Sequence, residues 1–123
     1  MTVEKKEFRF REWNVYKDAK VLFSDVIKIV RSLPKEYRYE LGSQILRSSS
    51  SIILNIAEGS GKSSDKELNR FFDIAIGSVN ETLAISDILR DNKLLSEEMF
   101  VVMFGKLRSI SRQLGGFKKG LNL

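Results

Sequence analysis

A chain of 123 residues, 42% hydrophobic and 30% charged, is long enough for one packed core and too apolar to remain disordered. It has no cysteine and no histidine, which excludes disulfides and thiolate chemistry and removes the commonest proton carrier and zinc ligand. The net charge of +5 is unevenly placed: the basic and acidic side chains of residues 1–98 cancel, and residues 99–123 add Lys106, Arg108, Arg112, Lys118 and Lys119 with no acid.

No apolar run approaches the ~20 residues a membrane-spanning helix needs. The charged start, Met1 to Glu7, lacks the apolar stretch of a secretion signal. The expectation is a cytoplasmic protein with no membrane contact.

Apolar residues recur every three or four positions along most of the chain, the period of amphipathic helices. The first helix is predicted over about residues 12–33, with Val15, Ala19, Leu22, Val26, Ile29 and Leu33 on one side. Pro34 ends it, because the residue before proline is pushed out of the helical region. A second helix over 35–58 carries Tyr37, Leu41, Ile45, Ser49, Ile52, Ile53 and Ile56 inward, with Gly59 read as the left-handed residue that closes it. Ser64 with Glu67 three residues later predicts a capping box opening a third helix, 64–90. Ser96 followed by Glu97 and Glu98 opens a fourth, 96–115. Gly115-Gly116 are read as its end, leaving 116–123 as a disordered tail. Four helices joined by short turns predict a single all-α domain, an antiparallel up-down four-helix bundle.

Gly59-Ser60-Gly61-Lys62-Ser63 imitates the end of a phosphate-binding P-loop. The imitation fails because the motif needs a glycine five positions before Gly61, where this chain has Ile56. The upstream apolar residues also keep helical rather than strand spacing. The stretch is read as a turn between helices.

Read as a helix end, Asn55-Ile56-Ala57-Glu58-Gly59 carries a resemblance. The other residues that share it are Val15-Tyr16-Lys17-Asp18-Ala19 with Leu22, the segment Pro34 to Tyr39, the segment Leu41 to Arg47, and Ser51-Ile52. Lys66-Glu67, Arg70-Phe71, Ala75-Ile76-Gly77-Ser78 and Glu81-Thr82 continue it. Over about residues 10–115 the chain resembles the four-helix bundle family named after intervening sequences of bacterial 23S rRNA genes (23S rRNA-intervening sequence proteins). It departs at Ser48, where members usually have alanine, and near Ile53-Leu54, where they usually have proline; a straighter second helix is expected. The resemblance implies a homo-oligomer, typically a pentamer, without established enzyme activity. The family is also similar in fold to accessory proteins of diversity-generating retroelements, which bind a reverse transcriptase and nucleic acid; that likeness is one of fold, and fold does not fix function.

The polar signature residues Arg47, Asn55, Glu58, Arg70 and Glu81 admit two readings. They could form a ligand-binding cluster, or they could form interhelical hydrogen bonds and ion pairs that set the register of helices two and three. The second is favoured, because buried charge persists only when paired; Asn55 and Glu58 could also simply finish the helix end. Ser48 to Ser51 are read as small-residue packing, with Gly77-Ser78 as the facing surface.

Apolar residues wrap about two-thirds of helix three, more than the ~100° stripe a small bundle needs. Such excess marks an interface between copies, with Phe71, Ile74, Ile85, Phe100 and Phe104 as candidates. A central helix wrapped tightly by its neighbours is the competing explanation.

Three functions follow. The leading expectation is a non-enzymatic, self-associating bundle that acts as an adaptor for RNA, DNA or a reverse-transcriptase-like enzyme, with Lys106, Arg108, Arg112, Lys118 and Lys119 contacting phosphates. No aromatic stacking platform interleaves with these cations, so sequence-specific reading of single strands is not expected. The second is a structural or protein-interaction module. The third, a carboxylate metal site using Glu58 and Glu81, lacks the Glu-x-x-His pattern of bundle metal centres. No cofactor is expected.

Overall fold

Hydroxyl caps and one proline divide the chain where the sequence predicts. In a computed structural model, which describes residues 7–123, a 3-10 turn, Arg9–Glu12, precedes α1 (Asn14–Ser32). A helical turn, Lys35–Tyr37, runs through a π segment, Arg38–Gly42, into α2 (Ser43–Ser60); α3 (Asp65–Asp91) and α4 (Glu97–Lys119) follow. No strand occurs among the described residues. The charged start, residues 1–6, lies outside them.

Leu33, held extended before Pro34 (ψ 142°), stops α1. The Arg38 guanidinium donates to the Leu33 carbonyl at 3.0 Å, covering an acceptor that the helix end leaves open. Ser64 accepts from the Glu67 amide (3.2 Å) and Ser96 from the Met99 amide (3.1 Å), the two predicted caps. Only half of the predicted box forms, since the Glu67 carboxylate is taken by Arg70 Nε at 2.9 Å.

Each helix packs on two neighbours, with α2 against α3 the most extensive pair. The α1–α4 pair is antiparallel: Gln113 donates to Asp18 (2.8 Å) and Lys106 to Asp25, so one sequence descends as the other rises. Leu22, Val26, Ile45, Ile52, Ile56, Phe72, Leu89, Met103, Ile110 and Leu114 are fully enclosed. Each such side chain contributes about 1.5–3 kcal/mol on burial.

Two expectations are corrected. The tail is ordered: α4 continues through Gly115-Gly116 to Lys119, because Phe117 packs against Trp13 (4.7 Å between ring centres) and Phe72 (4.9 Å). Beyond it, the Asn122 amide donates to Asp65 at 2.9 Å. Gly59 is not left-handed. It lies inside α2 in helical conformation, and among the described residues only Lys93 has a positive φ (60°). Gly59 is required by space instead: a Cβ there would sit 2.9 Å from the Phe71 Cβ and 3.1 Å from Leu68 Cδ1.

The second helix is not uniform, since the π segment interrupts its first turns. Where the family's proline is missing, α2 runs without a break past Ile53 and Leu54.

Candidate nucleic-acid interface

Helices α2 and α3 are joined by hydroxyls, not by charges. Ser51 accepts from Ser78 (2.9 Å) and from the Asn55 amide (2.9 Å), and Ser48 meets Thr82 at 2.7 Å. The Thr82 hydroxyl already donates to the Ser78 carbonyl (2.8 Å), which makes Ser48 the donor across the seam. These contacts pair residue 51 with 78 and 48 with 82, so the helices run antiparallel in a defined register. Ser48, the departure from the family's usual alanine, is therefore one of the side chains that hold the seam.

Of the five signature residues, Asn55 alone joins this seam. Arg47, Glu58 and Glu81 are exposed and make no ion pair or side-chain hydrogen bond among the described residues. Arg70 pairs with Glu67 on its own helix and lies over the Phe71 ring at 4.6 Å. That hydrogen bond and the guanidinium charge hold the Glu67 carboxyl below its usual pKa. The expectation that ion pairs set the register is thus corrected. Uncharged hydroxyls do it, because they can be buried without removing full charges from water. Helical spacing places Arg47, Leu54 and Glu58 of α2 with Ile74, Gly77, Glu81 and Ile88 of α3 on one outward face.

The candidate interface residues divide. Phe71, Ile85 and Phe100 are 7%, 4% and 8% exposed and are packed within the chain, with Lys62 and Arg70 over Phe71 and Arg90 over Phe100 at 3.8 Å. Much of the apparent excess on α3 is therefore covered by its own neighbours, as the wrapped-helix alternative foresaw. Ile74 and Phe104 are 40% and 43% exposed and remain open.

The five cations divide as well. Lys106 is paired with Asp25 and Lys118 with Asp73, acids that lie far away in sequence. Arg108, Arg112 and Lys119 are exposed on the outer side of α4 and have no ion pair among the described residues. Arg108 and Arg112 border a groove of about 290 Å³ between α3 and α4. Its walls are Val79, Leu83, Leu107 and Phe104, and its remaining polar groups are Asn80 and Ser111. An exposed ring therefore does stand beside the free arginines, contrary to the sequence expectation. The spacing 104, 108, 112 was the available signal, and it was masked by the assignment of Phe104 to the apolar interface. Asn80 and Ser111 carried no sequence signal, since only the packing of α3 on α4 brings them together.

Glu58 and Glu81 cannot share a metal ion. The register sets Glu81 at the level of Ser48 and Ser49, nine to ten residues from Glu58, or about 14 Å along the helix at 1.5 Å per residue. No group of three or more potential metal ligands occurs among the described residues. No helix among them is long and apolar enough to cross a membrane.

In fold, the chain is similar to a crystal structure from Bacteroides thetaiotaomicron, a protein of unknown function from the S23 ribosomal protein family. The TM-score is 0.80 at 22% identity, over 85% of this chain and 98% of that one. No curated protein matches. The family model for 23S rRNA-intervening sequence proteins matches residues 11–116, a span that takes in α1 to α3, α4 up to its last three residues, the hydroxyl seam and the groove, and the chain belongs to that family.

Proposed function

We propose that this protein is a non-enzymatic helical bundle that self-associates and serves as an adaptor for nucleic acid or for an enzyme acting on it. The observation that carries the reading is the outer side of α4, where Arg108, Arg112 and Lys119 stand free in a segment without a single acid. Unpaired cations on a rigid helix bind polyanions by releasing condensed counterions. A ring of five copies, the assembly the family resemblance implies, would repeat this patch five times, and multivalent contact raises affinity without any new interaction.

The outward face of α2 and α3 is where copies meet. It carries exposed Leu54, Ile74 and Ile88 together with one free arginine and two free glutamates. Opposite charges on one face are complementary to the same face, or a neighbouring one, of an identical chain.

Light scattering after size exclusion, with and without added RNA, tests both parts. The expected result is a multimer that binds RNA at low salt and releases it steeply as salt rises; Arg47→Glu splits the multimer. A solitary folded chain at high concentration removes the assembly. RNA binding that is absent at low salt, or unchanged when Arg108, Arg112 and Lys119 are neutralised, removes the nucleic-acid role. It would leave a structural or protein-interaction module, a reading favoured by the internal pairing of Lys106 and Lys118.

A further inference from the structure

The groove between α3 and α4 combines three features, of which the phosphate-binding reading requires only the last. It is concave, it has an exposed aromatic ring, and two unpaired guanidiniums stand on the same helix as that ring. A surface that only neutralised duplex phosphates would need the arginines alone. Phe104, Arg108 and Arg112 lie four residues apart, so they follow one side of α4 with a rise of about 6 Å between neighbours. That interval is comparable to the spacing of successive phosphates along an extended strand.

We infer that this groove holds one unpaired nucleotide of a single strand, with its base against Phe104 and its flanking phosphates at Arg108 and Arg112. The inference rests on the nucleic-acid role proposed above and specifies the form of strand taken. Bases in a duplex are stacked inside and cannot lie against a ring in the wall of a groove. An unstacked base offers a flat face that any aromatic side chain accepts, whatever its identity. Asn80 and Ser111 provide an amide and a hydroxyl for the base edge or sugar. The volume, about 290 Å³, is at the lower end of ligand clefts and suits one base rather than several. A second copy is the competing occupant. Packing α4 on α4 would set arginine against arginine, since residues 99–123 bring no carboxylate to the contact.

The test is fluorescence anisotropy with a dye-labelled oligouridine and with an RNA duplex of equal length, alongside light scattering of each variant. Wild type should bind the single strand more tightly than the duplex. Phe104→Ala should weaken single-strand binding roughly 5- to 160-fold, the range for losing one stacked base, and leave duplex binding within about twofold. Phe104→Trp should restore it. Arg108→Gln with Arg112→Gln should weaken both ligands and lower the single-strand salt slope by about 1.4. Equal losses for strand and duplex, or no loss in Phe104→Ala, overturn the groove while the nucleic-acid role stands. A change of assembled mass in Phe104→Ala assigns the groove to a copy–copy contact and overturns it as well. If wild type binds neither ligand, the nucleic-acid role fails first and the groove with it.

Discussion

Helix α3 meets its two neighbours in different ways. Toward α2 it presents Ala75, Ser78 and Thr82, and α2 answers with Ser48, Ser51 and Gly59. Small side chains let the backbones close up, and every buried hydroxyl finds an acceptor along its own helix or across the seam. Toward α4 it presents Val79 and Leu83 against Leu107 and Phe104, bulky groups that leave a groove open to solvent. One side of the helix is closed and polar but uncharged; the other is apolar and flanked by free cations. The difference separates a seam that defines the fold from a surface left available for a partner.

The largest effect is expected where the seam is tightest. Gly59→Leu forces a side chain into space bounded by Leu68 Cδ1 and by the Phe71 Cβ, which is fixed to the backbone and cannot swing aside. Overpacking of this size should cost about 3 kcal/mol in urea-unfolding stability. Gly77 on the outward face has nothing within 4 Å of a built Cβ, so Gly77→Ala should stabilise the folded chain by up to ~1 kcal/mol through helix propensity. Equal effects at the two glycines would show that the seam is not closed.

Next in size is the hydroxyl contact. Thr82→Val removes the acceptor of Ser48 and leaves that hydroxyl with only a 3.3 Å contact to the Ile45 carbonyl. The expected loss is about 1–2 kcal/mol. Ser48→Ala combined with Thr82→Val removes both partners and should recover much of it, a non-additivity that a double-mutant cycle reads directly. On the groove side, Arg108→Gln with Arg112→Gln should change stability by no more than ~0.5 kcal/mol, because neither side chain is paired within the chain. A large loss there would give the arginines a structural task and weaken the contrast.

The fold was legible because its determinants are local. Pro34, Ser64 and Ser96 mark boundaries by chemistry that acts within four residues, and the periodic apolar positions mark the core. The errors arose where distant contacts decide. Gly115-Gly116 looks like a helix end until Phe117 is placed against Trp13 and Phe72. Gly59 looks like a left-handed residue closing its helix until the approach of Phe71 shows that space, not backbone conformation, requires it. The candidate site was half legible. The cation run was evident, but which cations are free depended on Asp25 and Asp73, which only the fold brings to Lys106 and Lys118.

The smallest effect concerns the one charged pair that sits beside the seam on α3. The Arg70 hydrogen bond and charge lower the pKa of Glu67 from its usual value. A carboxyl whose pKa is depressed on folding contributes stability that is fully present above its unfolded pKa and is lost as pH falls through the folded one. Glu67 therefore titrates below an ordinary glutamate in an NMR pH series, and Arg70→Gln moves its midpoint upward. In a chain kept single by Arg47→Glu, added salt should move it upward too, because the pair then faces solvent and is screened. The buried Ser48–Thr82 contact, carrying no net charge, should give the same coupling energy at low and high salt. A salt-insensitive Glu67 in wild type would mean that Arg70 is covered in solution, as it would be if a second copy lay across the outward face of α2 and α3.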